Sequence, residues 1–275
     1  MDNALRVVTW NVRRAKAGSA VWDYLLELAP DAALLQEVSG IPEDVRARFA
    51  CHEQRATGGT GLPQRFSTAL LVRGRMGEAV VLPAPAAWIA AELQRFAGNL
   101  VARQLLPDNG PALKAVSVYS PAWPVDPGRL SGIDVTGVRL TQNRDVWVTD
   151  LLWASLQHLR PDPREPWIVA GDFNLSETFD LWPGGPRGNR EHLERMAALG
   201  LIECLRHAKG ALTPTFRNTG GGAIKHQMDH LFVTDVLAQR LTACDTGSQE
   251  RVFGSSLSDH LPIVADFRLP AGRAV

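Results

Sequence analysis

The chain has 275 residues, of which 45% are apolar and 21% are charged, and this composition argues against a disordered, fibrous or disulfide-stapled protein. Lys and Arg total 29 and Asp and Glu total 29, so the formal net charge is zero. Zero net charge argues against a surface that is basic throughout, but a local basic groove would not show in the total.

The cysteines and the apolar segments bear on the compartment. The chain has three cysteines, Cys51, Cys204 and Cys244, and no pair of them has C-x-x-C spacing. An odd number without that spacing favours reduced thiols. The first residues lack the basic and apolar regions of a signal peptide, and the most apolar stretch, 79–91, is interrupted by two prolines. We therefore expect a cytoplasmic protein without a membrane-spanning segment.

The apolar pattern predicts short buried strands with helices between them. In chain order, β-branched and apolar runs predict strands at 5–10, 32–36, 67–72, 100–106, 113–119, 167–170, 231–233 and 263–269. Periodic apolar positions predict helices at 20–28, with Ser19 as a candidate N-cap, at 142–159, and at 191–199 before Gly200. The turn sequence at 107–111 predicts a hairpin between two of the strands.

These elements extend from one end of the chain to the other, with no solenoid-length repeat, low-complexity tract or linker between them. They indicate one α/β domain over residues 1–275, with a mixed sheet or two packed sheets. Four segments lack a periodic pattern and predict long loops of the kind that carries function; they are 53–66, 120–140, 182–190 and 217–227.

Polar residues suited to metal or phosphate chemistry stand at the ends of the predicted strands. They are Asn11, Glu37, Asp172 with Asn174, Asp229, and Asp259 with His260. A single carboxylate in such a place is commonly a cap or turn residue. Five such places are harder to explain as caps, and burying several carboxylates together is costly unless a cation or hydrogen bonds compensate.

Five short motifs contain these residues. They are Thr9-Trp10-Asn11-Val12, Leu35-Gln36-Glu37-Val38, Gly171-Asp172-Phe173-Asn174, Met228-Asp229-His230-Leu231-Phe232-Val233 and Ser258-Asp259-His260-Leu261-Pro262. In this order they resemble the motifs of the endonuclease/exonuclease/phosphatase superfamily of metal-dependent phosphoesterases. That group includes pancreatic-type deoxyribonucleases, abasic-site endonucleases, neutral sphingomyelinases and inositol-polyphosphate 5-phosphatases. The resemblance implies an α/β fold, a four-layer α/β/β/α sandwich with two packed mixed β-sheets and the site at one edge.

The resemblance also implies a catalytic Mg²⁺ or Mn²⁺, and such hard cations prefer carboxylate oxygens as ligands. Glu37 is the implied direct ligand, and Asp259 and Asn11 are implied in or beside the metal shell. Asp172 is implied to orient or deprotonate the attacking water.

Three further residues are implied to act on the phosphate. Asn174, on the loop of Asp172, is expected to approach a phosphate oxygen, and His260 is expected to contact the scissile phosphate. Asp229 is expected to hold the His260 imidazole through its other nitrogen, which fixes the tautomer and charge. Loss of Asp229 is therefore expected to resemble loss of His260 in kind.

Two positions bear on the branch of the superfamily. Tyr119 stands at a strand end where abasic-site endonucleases carry a tyrosine, and it is either a hydrogen-bond donor to the substrate or a half-buried strand residue. Arg13 stands where those enzymes usually carry an aspartate, and pancreatic-type deoxyribonucleases resemble the chain better there. Arg13 either contacts a substrate phosphate, pairs with a carboxylate or is solvated.

Weaker patterns surround the motifs. His226 and Lys225 are expected to line the mouth of the site. The spacing of His226 and His230 suits zinc only on a helix, and the strand pattern that follows argues against one. Trp88, Trp123 and Trp182 lie in or near predicted loops, where stacking on bases and ordinary packing both remain open.

The sequence thus predicts a Mg²⁺- or Mn²⁺-dependent phosphodiesterase, with nucleic acid as the main predicted substrate and a monomeric protein. A phospholipid headgroup or a small phosphoester remains an alternative substrate, because the fold does not specify one. A sandwich that serves only as a binding module is a third hypothesis, which the complete series of motifs disfavours.

Overall fold

The computed structural model describes residues 4–182, 185, 187–218 and 223–269. The strands in this part of the chain are β1 (Ala4–Ala15), β2 (Ala32–Val38), β3 (Ala50–Thr57), β4 (Pro63–Val72), β5 (Gly74–Ala79), β6 (Leu100–Pro107), β7 (Leu113–Tyr119), β8 (Trp167–Asp172), β9 (Ile202–Glu203), β10 (Asp229–Val233), β11 (Leu241–Thr246) and β12 (Ile263–Arg268). The α-helices are α1 (Val21–Glu27), α2 (Glu43–Arg46), α3 (Ala87–Arg95), α4 (Val148–Leu159), α5 (Asn189–Ala198), α6 (Cys204–Lys209) and α7 (Asp235–Ala238). Single helical turns cover Pro127–Leu130, Glu177–Leu181 and Glu250–Gly254.

The strands form two six-stranded sheets. The first has the order β11-β12-β1-β2-β4-β3 and the second has the order β5-β6-β7-β8-β10-β9. β1 runs parallel to β2 and β7 runs parallel to β8, while the other neighbouring strands are antiparallel. Both sheets are therefore mixed, as the resemblance implied.

Three apolar clusters separate four layers. Leu34 and Ile168 belong to the cluster between the two sheets. Val116 and Leu152 belong to the cluster between the second sheet and the layer of α3, α4 and α5. Leu25 belongs to the cluster between the first sheet and α1. The layers follow the order α/β/β/α, which confirms the predicted fold.

The inner strand β2 shows why its sequence is continuously apolar. Ala32 and Leu34 face the core between the sheets, whereas Ala33 and Leu35 face the helical layer. A strand buried on both faces needs apolar residues at every position, so it lacks the alternation of a half-exposed strand.

The close approach of β7 and β8 requires glycine at residue 171. Gly171 has φ of 151°, and a Cβ atom at that position would lie 1.9 Å from the carbonyl oxygen of Val118. Only glycine can adopt this conformation at that distance. The resulting register pairs Tyr119 with Asp172 at one edge of the sandwich.

The prediction of a long loop at 53–66 is wrong. β3 and β4 occupy most of this range and leave only residues 58–62 as a connection. β3 is an edge strand, and most of its residues from Ala50 to Arg55 are partly or fully exposed on both faces. An edge strand of this kind has no buried face to impose an alternating apolar pattern, so its residues do not show the pattern of a strand.

The helix predicted at 142–159 begins only at Val148. The Asp150 carboxylate accepts the backbone N–H of Trp147 at 2.8 Å, and this contact fixes the start of the helix. The first six predicted residues, which end with the N-cap residue Trp147, therefore lie outside the helix.

The remaining differences are local. Ser19 does not cap α1, since its hydroxyl accepts the backbone N–H of Lys16 at 3.0 Å and the helix begins after Ala20. The predicted loops at 182–190 and 217–227 lie partly outside the described residues. Within the described ranges, no helix has the length and apolar character needed to cross a bilayer.

Candidate active site

The topology brings polar residues from both ends of the chain to one edge of the sandwich. The parallel strands β1, β2, β7 and β8 end at this edge, and β10 and β12, which are antiparallel to their neighbours, begin there. Asn11 Nδ2 donates to Asp172 Oδ2 at 2.9 Å, across the two sheets. We call this edge the site edge.

Several backbone turns at the site edge are strained. Arg13, Arg14, Glu37 and Asn174 have φ of 47°, 58°, 56° and 48° respectively. Non-glycine residues rarely adopt this left-handed region. Strain of this kind persists only where the surrounding structure holds it, and it is concentrated at functional sites. The strand ends are therefore held in specific turns at the same place where the polar side chains meet.

Asp172 lies at the end of β8 and is buried. Its carboxylate accepts hydrogen bonds from Asn11 Nδ2 at 2.9 Å, from the Asn174 backbone N–H at 2.9 Å and from Asn174 Nδ2 at 3.2 Å. Burial raises the pKa of Asp172 to about 7, against a lowering by His260. A carboxylate with this pKa and a fixed orientation is suited to accept a proton near neutral pH.

Asn174 lies beside Asp172, but its amide is engaged within the protein. Its Nδ2 donates to the carbonyl oxygen of Ser120 at 2.7 Å as well as to Asp172. Asn174 thus ties the turn after β8 to the turn after β7. These contacts support the Asp172 carboxylate, and the implied approach of Asn174 to a phosphate oxygen stays a prediction.

His260 forms a buried pair with Asp229. Its Nδ1 lies 2.9 Å from Asp229 Oδ2, the contact that the resemblance implied, and its Nε2 lies 3.9 Å from Asp172 Oδ2. Burial lowers the pKa of His260, but the Asp229 and Asp172 carboxylates outweigh it and raise the pKa to about 10. The imidazole therefore carries a positive charge at neutral pH, beside the carboxylate at the end of β8.

Thr215 and Phe216 contact the His260–Asp229 pair, and the sequence did not indicate a role for either residue. The Thr215 hydroxyl donates to Asp229 Oδ2 at 2.7 Å, and the Phe216 ring centroid lies 4.9 Å from the centroid of the His260 imidazole. Both residues lie in a segment without helical or strand periodicity. The only available signal was the position of this segment before the motif of Asp229.

Ser258 links the two ends of the chain. Its hydroxyl donates to the carbonyl oxygen of Asn11 at 2.7 Å and accepts the backbone N–H of His260 at 3.1 Å. The indole of Trp10 donates to the carbonyl oxygen of His260 at 2.8 Å. These contacts fix the backbone of the last motif against β1.

Glu37 fits the role of a cation ligand. Its side chain is 18% exposed, and the nearest donors in the described part of the chain are Asn11 Nδ2 at 3.4 Å and Arg14 Nε at 3.6 Å. Burial, with a smaller contribution from Asp259, raises the pKa of Glu37, against lowering by Asn11, His260 and Arg14. A mostly buried carboxylate without a short hydrogen bond is incompletely compensated, and a divalent cation supplies that compensation.

A second group of ligand atoms is better explained without a metal. Asp172, Asp229 and His260 offer one atom each within 4.8 Å of one another. His260 Nδ1 and the Asp229 carboxylate already bond to each other, and Asp229 also accepts a hydrogen bond from Thr215. Glu37 is therefore a better candidate ligand than Asp229.

Tyr119 lies at the end of β7, in register with Asp172. Its ring meets the Phe66 ring edge-on at a centroid distance of 5.1 Å. Burial, followed by the Glu37 and Asp172 carboxylates, raises the pKa of Tyr119 well above its usual range. The phenol therefore keeps its proton and can act as a hydrogen-bond donor at the site edge.

The predicted substrate-binding residues lie around this centre. Arg13 is half-exposed, and its Nε lies 3.5 Å from Asp259 Oδ2, so it pairs loosely with a carboxylate. Lys225 is exposed. His226 Nδ1 lies 2.8 Å from the Thr178 hydroxyl, and residues 226–230 are not helical, so the geometry that zinc would require is absent from this described segment.

Comparison with known proteins identifies the fold and the family. Residues 8–260 match the model of the Endonuclease/Exonuclease/phosphatase family, a range that includes every site residue from Asn11 to His260. No curated protein sequence matches the chain significantly.

Solved structures share the architecture at low sequence identity. An AP endonuclease from Archaeoglobus fulgidus is similar with a TM-score of 0.69 and 18% identity over 96% of this chain and 100% of that chain. The 3′ phosphatase NExo from Neisseria, bound to product DNA hairpin, has a TM-score of 0.64 and 18% identity over 96% and 100% of the two chains. An AP endonuclease from Leishmania major has a TM-score of 0.62 and 16% identity over 97% and 88%. At these identities the likeness shows the fold.

Proposed function

Because the chain belongs to the Endonuclease/Exonuclease/phosphatase family and is thus a phosphoesterase, we propose that it is a nuclease that hydrolyses phosphodiester bonds with Mg²⁺ or Mn²⁺. The observation that carries this proposal is the convergence of five buried or mostly buried polar side chains at the site edge; they are Asn11, Glu37, Asp172, Asp229 and His260. Structural similarity to a DNA-bound 3′ phosphatase supports nucleic acid as the substrate.

The cation would be held by Glu37, with Asn11 and Asp259 beside it. When bound, a divalent cation neutralises non-bridging phosphate oxygens and stabilises the leaving alkoxide. The fit rests on the Glu37 carboxylate, which is mostly buried and has no hydrogen bond shorter than 3.4 Å within the described ranges.

Asp172 takes the proton of the attacking water. Its pKa, which burial raises to about 7, is close to the value that makes a general base effective at neutral pH. Asn11 and Asn174 hold the carboxylate in one orientation through three hydrogen bonds, so the base does not need to be reoriented for each attack.

His260 stabilises the negative charge that accumulates on the phosphate. Its imidazolium is held by Asp229, which is in turn held by Thr215. A cation that is already oriented in a buried site stabilises developing charge more strongly than one in water. Because its pKa is raised to about 10, His260 keeps this charge throughout the neutral range.

Tyr119 donates a hydrogen bond to the leaving oxygen or to a phosphate oxygen, since its phenol remains protonated at the site edge. Arg13, Lys225 and His226 contribute to the rim where further phosphates of the substrate bind. The free thiols of Cys51, Cys204 and Cys244 are consistent with action in the reducing cytoplasm, and we propose that the protein acts there as a monomer.

The test is a panel of metals and substrates. Wild-type protein and His260→Ala are assayed with Mg²⁺, Mn²⁺, Ca²⁺ or EDTA on duplex DNA, abasic DNA, single strands, RNA, sphingomyelin and inositol phosphates. The proposal expects cleavage of a nucleic acid that requires Mg²⁺ or Mn²⁺ and is nearly lost in His260→Ala. Cleavage only of sphingomyelin or of inositol phosphates would refute the nuclease assignment while leaving the chain a phosphoesterase.

A further inference from the structure

Large exposed apolar side chains are concentrated around the site edge. Among the described residues, five such side chains are mostly exposed; they are Leu62 (68%), Val81 (76%), Trp123 (75%), Leu181 (83%) and Trp182 (58%). Leu62, Trp123, Leu181 and Trp182 lie on the connections that follow β3, β7 and β8, and these three strands end at the site edge. Exposed apolar groups gathered at one place on a soluble protein indicate an interaction surface. Trp88, by contrast, packs partly buried on the helical layer.

The first pair, Leu62 and Trp123, stands on two connections that are fastened together. Leu62 lies between β3 and β4, and Trp123 follows β7. Arg129 donates to both Glu92 oxygens at 3.0 Å and to the carbonyl oxygen of Thr60 at 3.1 Å. The Glu92 carboxylate is buried, so this ion pair holds the two connections in one arrangement and leaves the indole of Trp123 in solvent.

The second pair, Leu181 and Trp182, is also anchored. The Asp180 carboxylate accepts the backbone N–H groups of Asn189 and Arg190 at 3.0 and 2.9 Å, at the start of α5. The Phe179 ring centroid lies 6.3 Å from that of Trp182. The Leu181–Trp182 pair therefore projects from a segment that is fixed to a helix N-terminus on one side and backed by an aromatic ring.

The two pairs lie on opposite sides of the candidate active site. β3 and β4 form one end of the first sheet. Leu62 lies on the connection between them, and Trp123 lies against that connection at Gly59. The segment of the Leu181–Trp182 pair bonds through Glu177 to Arg206 of α6 at 2.8 Å, and α6 connects β9 to β10 at the other end of the second sheet. The strands that carry Asn11 and Asp172 lie between these ends.

We propose that the two Trp–Leu pairs stack on unpaired bases on either side of the scissile phosphate, so that the enzyme acts on single-stranded or locally unpaired nucleic acid. This inference deepens the proposed function and rests on it. Aromatic side chains bind unpaired bases by stacking, with little dependence on sequence, because every base has a π-face. In a regular duplex the base faces are covered by their neighbours and do not reach two platforms that flank the site.

The surface between the pairs favours a nucleic-acid strand over a lipid surface. Arg13 and Arg14 are 45% and 68% exposed there, and Glu37 and Asp259 lie next to them. A helix or surface that inserts into a membrane interface presents a continuous apolar face, whereas here charged groups separate two small apolar pairs. Exposed arginines between two stacking platforms match the alternation of phosphates and bases along a strand.

The test measures binding of a fluorescein-labelled single strand and of a duplex of the same sequence to Asp172→Asn protein, in which cleavage is suppressed. Trp123→Ala and Trp182→Ala are each introduced into this background. We expect each to weaken single-strand binding by about tenfold, with a smaller effect on the duplex. Trp123→Phe and Trp182→Phe, which keep an aromatic face, are expected to restore most of the affinity.

Val81→Ala is the matched control, since Val81 is equally exposed but follows the edge strand β5, two strands away from β7, and it should bind as the parent does. Unchanged single-strand affinity in both alanine variants, or an equal loss on the duplex, would overturn the inference. So would binding of sphingomyelin and phosphatidylserine vesicles that is lost in Trp123→Ala. Failure of the proposed function is a separate result, because it appears as the absence of hydrolysis by wild-type protein of any substrate, including bis(p-nitrophenyl) phosphate.

Discussion

Two regions of this protein each bury an aspartate and a histidine, and the pKa of the histidine is shifted in opposite directions in the two regions. At the site edge, burial lowers the pKa of His260, but the Asp229 and Asp172 carboxylates outweigh this effect and raise the pKa to about 10. Where α4 packs against α5, burial, with smaller contributions from His230 and Arg195, lowers the pKa of His192 to about 3. One histidine is charged at neutral pH and the other is neutral.

The difference lies in the hydrogen-bond partners. His260 Nδ1 bonds to Asp229, whereas neither ring nitrogen of His192 has a partner among the described residues. The same contrast holds for the two buried aspartates, since Asp172 accepts three hydrogen bonds and one oxygen of Asp150 accepts none in the described part of the chain. Burial alone thus does not mark a catalytic group; at the site edge the buried groups also have partners that hold them in one orientation.

The largest expected difference between the two regions comes from replacing each buried aspartate with asparagine. Asp172→Asn is expected to lower kcat by about 10³-fold, because the amide cannot accept the proton of the attacking water. Asp150→Asn, its matched control, is expected to keep most of the activity. Initial rates with Mg²⁺ on the best nucleic-acid substrate measure both. Similar losses in the two variants would show that the site edge has no special role.

The histidines allow a parallel experiment with a somewhat smaller effect. His260→Ala is expected to lower kcat by about 10²- to 10³-fold, since it removes a preorganised positive charge. His192→Phe is expected to leave kcat nearly unchanged, because His192 is neutral and packs beside Phe173 in the helical layer. Circular dichroism confirms folding in each case. Retention of turnover by His260→Ala would contradict its assigned role.

Asp229 tests the origin of the His260 charge. The imidazolium is present below the pKa of His260 and is lost as the pH rises through about 10. Because the Asp229 carboxylate raises that pKa, Asp229→Asn is expected to lower it and to move the alkaline limb of kcat/KM toward neutral pH. We expect a loss of about 10- to 100-fold at pH 8. A loss with an unmoved alkaline limb would indicate a purely structural role.

Asp150 has the smallest expected effect on turnover, and its main effect concerns stability. Burial raises its pKa to about 7 in the folded protein, above the unfolded value of about 3.9. The folded state therefore binds the proton more tightly, and stability falls as the pH rises from about 4 to 7, by about 4 kcal/mol. The Asp150→Asn side chain cannot ionise. The gain in stability of this variant over wild type should therefore be larger at pH 8 than at pH 4.

Urea unfolding at these two pH values measures the change. The difference in unfolding free energy between the variant and wild type should grow as the pH rises. A difference that is the same at pH 4 and pH 8 would show that Asp150 stays uncharged or finds compensation.

The sequence predicted the site edge well because its residues lie in short motifs beside buried strands. Glu37 follows β2 directly, and Asp172 follows the glycine that the close approach of two strands requires. The parallel strands bring their carboxyl ends to one edge, an arrangement that the resemblance of the five motifs implied and with which the strand pattern was compatible.

Other features depend on contacts that a linear pattern does not contain. β3 is polar because it lies at a sheet edge, and Thr215 acts only because the fold places it beside Asp229. The amide of Asn174 bonds to Ser120, a residue of another strand end, so its supporting position was not evident from its motif. In each case the deciding partner is distant in sequence.

The dependence of turnover on Mn²⁺ concentration, compared between wild-type protein and Glu37→Gln, tests the central claim most directly. The substrate is one labelled oligonucleotide, and both proteins are first shown to be folded. Wild-type protein should be inactive in EDTA and recover at low Mn²⁺, whereas Glu37→Gln should need at least about tenfold more Mn²⁺ because the amide is a weaker ligand. Full wild-type turnover in EDTA, or superimposable Mn²⁺ curves for the two proteins, would contradict a cation held by Glu37 at the site edge.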